Sequence, residues 1–142
     1  MRYLLGIIFL ISFNTSAQVN TGARFTSMAS AGVSMRDAWS MQQNQAGLAK
    51  VSKTTIAIAI EKPFAGFDLS TQSAILIVPH QKNVFGISLQ RHGVAAYTEQ
   101  RAAFCYARNF GNRLSAALNF NYHLLKITSY GSAQTYSVEA GM

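Results

Sequence analysis

The sequence has one cysteine and only five carboxylate side chains in 142 residues. A single thiol, Cys105, has no partner for an internal disulfide, so a secreted scaffold stapled by disulfides is excluded. Cys105 shares parity with Ala103 and Ala107, which suits a small filler side chain rather than a nucleophile. The carboxylates Asp37, Glu61, Asp68, Glu99 and Glu139 are scattered, and no nucleophile–base constellation accompanies them. An enzyme is therefore not expected, and no cofactor is. His80, His92 and His123 lie on different elements without ligand spacing, which argues against a zinc site. No glycine-rich phosphate loop precedes a helix. Lysine and arginine outnumber the acids, 12 to 5, but form no run. That argues against a nucleic-acid footprint and suits cations at loops and strand ends, where anionic headgroups would attract them if those edges met a membrane.

A long hydrophobic run is also missing. The oily stretch Leu4–Phe13 follows Met1-Arg2-Tyr3 and ends at Asn14-Thr15-Ser16-Ala17-Gln18. It is shorter than the roughly 20 residues of a spanning helix. A basic start, a short apolar run and small residues at Thr15 and Ala17 predict a signal peptide over residues 1–17, cut after Ala17.

What the chain does have is alternation. From Leu114 to Leu124, Leu114, Ala116, Leu118, Phe120, Tyr122 and Leu124 share one parity. Ser115, Ala117, Asn119, Asn121 and His123 share the other. Strand side chains point to alternate faces, so this is a strand with one oily and one wet side. Its eleven residues match the roughly 9–11 that cross a bilayer when tilted. The same period recurs in Thr54–Glu61, Phe67–Val78, Val84–His92, Tyr97–Arg108 and Thr135–Met142, although Ala74 to Val78 is oily on both faces, with turns expected at Pro79-His80-Gln81-Lys82, Phe110-Gly111-Asn112 and Gly131-Ser132. Short connections favour antiparallel neighbours. Before them, residues 18–52 form a leader without a clean period, with a short helix expected near Asp37 and turn chemistry at Asn44-Gln45-Ala46-Gly47.

The expected fold is all-β: an antiparallel up-and-down meander of about six strands over residues 53–142, belonging to a transmembrane β-barrel. Lipid-facing positions would be Ile56, Ile58, Ile60, Phe85, Ile87, Leu89, Phe104, Tyr106, Leu114, Leu118, Phe120 and Tyr122. Lumen-facing positions would be Ser88, Gln90, Glu99, Arg101, Asn119, Asn121 and His123, polar side chains that suit a wet interior. Tyr97, Phe110, Tyr122 and Tyr130 fit interfacial girdles on the oily side. A transmembrane barrel needs about eight strands, so the chain is expected to be a truncated piece of a longer barrel, or else a subunit that closes with copies of itself. A soluble periplasmic β-domain is the alternative, with Leu118 and Phe120 in a core facing Phe85 and Ile87. A non-functional remnant is a further one.

Two stretches also carry a resemblance. Gly22-Ala23-Arg24-Phe25-Thr26-Ser27-Met28-Ala29-Ser30-Ala31-Gly32-Val33, then Asp37-Ala38-Trp39, then Asn44-Gln45-Ala46-Gly47-Leu48-Ala49, resembles the N-terminal signature of the PorV/PorQ-type outer-membrane barrels. These are related to the long-chain fatty acid transporter family. Tyr106-Ala107-Arg108 followed by Arg113-Leu114-Ser115 is similar to a strand–turn–strand of that family. The family more often has proline where Gln45 stands, and its barrels carry more strands than this chain supplies. The resemblance implies an outer-membrane barrel with the leader tucked into or near the lumen. It implies as partners the outer-membrane lipids and either a hydrophobic small molecule in transport or the proteins of a type IX secretion system.

Overall fold

A computed structural model describes residues 21–29, 31–111 and 114–142. The expected signal peptide lies outside them. The chain forms one six-stranded antiparallel sheet: β1 (Thr55–Glu61), β2 (Ser70–His80), β3 (Asn83–Gly93), β4 (Tyr97–Phe110), β5 (Leu114–Ile127) and β6 (Gly131–Gly141). Each strand pairs with its neighbours in sequence, in the order β1 to β6, so the sheet is an up-and-down meander and is not closed. The leader contributes one helical turn, α1 (Ala23–Ser27), and two 3-10 segments, η1 (Ala38–Gln42) and η2 (Gln45–Lys50).

The period-2 sequence sets the register. In β2 the odd residues Thr71, Ser73, Ile75 and Ile77 are buried, while Gln72, Ala74, Leu76 and Val78 are exposed. In β5 the sense is the one expected: Ala117, Asn119 and Asn121 are buried, and Leu114, Leu118 and Phe120 are exposed. A one-residue slip would exchange the two faces of any strand, so alternation on six strands fixes all five pairings together.

The strand ends differ from expectation. Pro79 and His80 continue β2, and only Gln81 and Lys82 remain in the turn, with Gln81 at φ 56°. Pro79 is tolerated because β1 stops at Thr55, opposite Ile77. No strand therefore asks for the missing N–H on that side. β2 starts at Ser70, which leaves Phe67 and Asp68 in the β1–β2 loop. Gly131 and Ser132 begin β6 instead of forming a turn; the reversal comes earlier, through Ser129 at φ 71°. β4 runs on to Phe110, and β3 and β5 each extend past their expected ends.

The leader lies across one face of the sheet, called here the covered face. Met41 and Leu48 are fully buried there against Ile75, Ile77, Val84, Ala103, Cys105, Ala107 and Ala117. Small side chains on β4 and β5 make room for these two large ones. Each contributes roughly 1.5–3 kcal/mol by leaving water. Cys105, at 0 % exposure, is one of the fillers. The opposite, open face has no second layer among the described residues. Phe85, Ile87, Leu118 and Phe120, the core of the soluble alternative, are exposed on it.

Candidate functional site

The leader is anchored residue by residue. The Asp37 carboxylate caps η1 by accepting from the Trp39 N–H at 3.0 Å, and accepts from Arg24 Nη1 at 2.8 Å. The Asn44 side chain caps η2 by accepting from the Ala46 N–H at 3.2 Å. Such caps satisfy backbone donors that a short helical segment leaves open. Gly47 has no room for a side chain: a Cβ there would lie 2.2 Å from the Met35 carbonyl oxygen. Among the resemblance residues, Gly22, Ala38, Ala46 and Leu48 are buried, Asp37, Trp39, Asn44 and Gly47 are half-buried, and Ala23 and Arg24 are exposed.

Two polar clusters tie this leader to the wall. In the first, Thr21 donates its N–H to Gln42 Oε1 at 2.7 Å, and Gln42 Nε2 donates back to Thr21 Oγ1 at 2.9 Å. Thr21 Oγ1 also shares a hydrogen bond with Ser73 of β2, and the Gly22 N–H donates to Glu61 Oε1 of β1 at 2.7 Å. The second cluster centres on Glu139 of β6. Its Oε2 accepts from Gln45 Nε2 of the leader at 2.7 Å and from Asn119 Nδ2 at 3.2 Å. Arg101 Nη2 lies 3.3 Å from Glu139 Oε1, and donates to Asn121 Oδ1 at 2.8 Å. Asn121 Nδ2 and His123 Nε2 both reach Ser137 Oγ. One carboxylate thus joins three strands and the leader.

Replacing Glu139 by glutamine keeps the shape and removes the countercharge of Arg101. A hydrogen bond to a charged group contributes about 1.5–3 kcal/mol. Glu139→Gln is expected to lower the unfolding free energy by a loss of that size, read from the shift of the denaturation midpoint in chemical unfolding in detergent. An unchanged midpoint would show that the cluster adds nothing to stability.

All seven expected lumen positions fall on the covered-face parity. Ser88, Asn119 and Asn121 are buried, and Gln90, Glu99, Arg101 and His123 line an open cleft of about 560 Å³ beyond the leader's edge. Glu99 is itself exposed and accepts from the Tyr97 hydroxyl. Tyr97 belongs to this parity and not to the oily one, because an even number of steps separates it from Arg101. The sequence reading missed Glu139, Gln45, Thr21 and Ser73 as site residues. Glu139 carried a visible sign, a lone carboxylate on the Thr135–Ser137 parity of an otherwise uncharged strand.

The twelve expected lipid-facing residues all stand on the open face. Ile56, Ile58, Ile60, Phe85, Ile87, Leu89, Phe104, Leu114, Leu118 and Phe120 are exposed there, and Tyr106 and Tyr122 are half-buried. Tyr106 donates its hydroxyl to Asn83 at 2.9 Å, and the Tyr122 and Tyr136 rings meet at a tilt of 44° with centroids 5.3 Å apart. The register joins Ile56, Leu76, Ile87, Phe104, Phe120 and Val138 into one cross-strand row, one large apolar side chain from each strand. Rows on either side, Val78–Phe85–Tyr106–Leu118 and Ile58–Ala74–Leu89–Ala102–Tyr122–Tyr136, widen it into a belt.

Among the described residues, no three His, Cys, Asp or Glu side chains gather around a possible metal position. No helix among them is long and apolar enough to cross a membrane, which says nothing about strands. The chain matches no protein-family model, no curated protein and no solved structure.

Proposed function

We propose that this chain forms part of the wall of an outer-membrane β-barrel, with its leader seated inside, and that the barrel serves the passage of hydrophobic compounds. The observation that carries the membrane reading is the belt. Soluble monomers rarely expose more than a few hundred Å² of contiguous apolar surface, whereas here every strand presents large apolar side chains on the open face. The length fits too. Leu114 to Leu124 on β5 covers about 34 Å at ~3.4 Å per residue. At the roughly 40° tilt of outer-membrane strands, that is close to their apolar band of about 25 Å. Hydrocarbon cannot satisfy unpaired backbone groups, so further strands would have to complete the wall beside β1 and β6. The passage of hydrophobic compounds rests on the resemblance of the leader stretches.

The test is fractionation of the full chain carrying a tag. It is expected in the outer-membrane fraction, resistant to alkaline carbonate, with a mobility in gels that shifts on boiling. Recovery in the soluble periplasmic fraction would overturn the reading. For transport, uptake of a fluorescent long-chain probe into proteoliposomes should exceed that of empty vesicles.

A second reading is favoured by one observation: the leader is held by both a buried apolar core and two polar clusters. A lumen filled so firmly suits a barrel that acts by holding protein partners, as in type IX secretion. Loss of secretion without loss of probe uptake on deletion would select this reading.

A further inference from the structure

The charges of the sheet are sorted by face. Glu61, Glu99 and Glu139, the strand carboxylates, all stand on the covered-face parity. Among the described residues no carboxylate stands on the open-face row of any strand. The charged side chains that do are Arg91, Arg108 and Lys126, and all three are exposed. Their cross-strand neighbours are neutral. Arg91 lies between Gln72 and Gln100, Arg108 between Asn83 and Ala116, and Lys126 between Thr98 and Ser132.

These cations are also sorted by height. Arg91 and Lys126 lie toward the end of the sheet that carries the β1–β2, β3–β4 and β5–β6 loops. Arg108 lies toward the end with the tight β2–β3 turn, and its guanidinium sits 5.4 Å over the Phe110 ring. The middle rows of the apolar belt run between the two levels, while the row of Arg108 meets Ala116, one step inside Leu114, so the Arg108 side chain reaches outward over Phe110 to leave the belt. Along β4, the row of Arg91 and the row of Arg108 are separated by eight residues, Gln100 to Arg108. That is about 27 Å along the strand, or roughly 20 Å across a bilayer at outer-membrane tilt. Two cations toward one end of the apolar rows and one toward the other, with no acid among them on that face and side chains long enough to reach outward, complement the two phosphate planes of an anionic bilayer. A nucleic acid or acidic peptide would instead need the cations in one patch.

We infer that the open face binds anionic lipid headgroups, with Arg91 and Lys126 engaging phosphates of one leaflet and Arg108 those of the other. This rests on the membrane reading above. Each cation near a charged bilayer surface raises membrane affinity about fivefold, so three together give on the order of a hundredfold.

The test uses the full chain, refolded in detergent and mixed with vesicles of phosphatidylcholine alone or with phosphatidylglycerol added, membrane-bound protein being recovered by flotation. The native chain should partition on the order of a hundredfold better into the anionic vesicles at low salt. Arg91→Gln/Arg108→Gln/Lys126→Gln should lose that preference while binding neutral vesicles as before. Arg91→Lys/Arg108→Lys keeps the charge, so its preference should survive and guards against a folding defect in the triple variant. Equal partition of the native chain into both vesicle types, or a triple variant that keeps the preference, would overturn the inference and leave the membrane reading standing. A native chain that enters neither vesicle would overturn both.

Discussion

Arginine in place of Phe120 is expected to destabilise the protein folded in a bilayer by about 2–4 kcal/mol, the cost of that side chain near the midplane of an outer-membrane barrel. Phe104→Arg should behave alike, because Phe104 and Phe120 are direct cross-strand partners in the middle row of the belt. The double variant should lose more than either, and should fail to gain the heat-sensitive gel mobility of a folded barrel. The same substitutions separate two solvents for the open face. Phe104 is 46 % and Phe120 51 % exposed. If water met them, arginine would be an ordinary surface change, within about 0.5 kcal/mol. Urea titration of the native and Phe120→Arg chains in lipid vesicles decides between these values. A difference below about 0.5 kcal/mol would mean that hydrocarbon does not meet the row.

The face of most strand residues was legible because a strand has a period of two, Tyr97 being the exception, expected on the oily side and standing on the covered-face parity. Phe120 and Asn121 are neighbours in sequence, and the structure puts one in the open and buries the other. Strand ends were less legible, since pairing is decided by the neighbour. Pro79 reads locally as a turn residue, yet it stays in β2 because β1 has already ended opposite Ile77. Gly131 reads the same way and opens β6, paired with Ile127. The Glu139 cluster was legible only in part: Arg101, Asn119, Asn121 and His123 share one parity, but their meeting with Gln45 through Glu139 was not. Gln45 and Glu139 are 94 residues apart, and only the stacking of five hairpin registers brings β6 under the leader. Asp37 reads as the start of a short helix and caps η1. The docking of that segment stayed hidden, because 3-10 turns give no lasting apolar period to read.

Docking of the leader leads to the second large effect. Leu48 and Met41 have almost no exposed surface, and both lie over Gly86, whose missing side chain leaves the space they occupy. A Cβ on Gly86 would approach the Met41 sulfur to 3.0 Å and Ile77 Cδ1 to 3.1 Å. Leu48→Ala should therefore destabilise the protein by about 2–5 kcal/mol through lost contact and the cavity it leaves. Gly86→Leu attacks the same contact from the wall, and overpacking of this kind costs about 1–3 kcal/mol. Both changes lie on the covered face, so neither should alter partition into vesicles. Both should expose residues 35–50 to protease, where the native chain is protected by the leader's buried core and its bonds to Ser73, Glu61 and Glu139. The pattern matters more than either magnitude. A leader freed by Leu48→Ala in a protein that still enters membranes would separate the two faces into two tasks: the open face for the lipid, the covered face for holding the leader. If Leu48→Ala abolishes vesicle entry while the leader stays protected, the apolar core beneath the leader supports the strands themselves and the leader is no separable element.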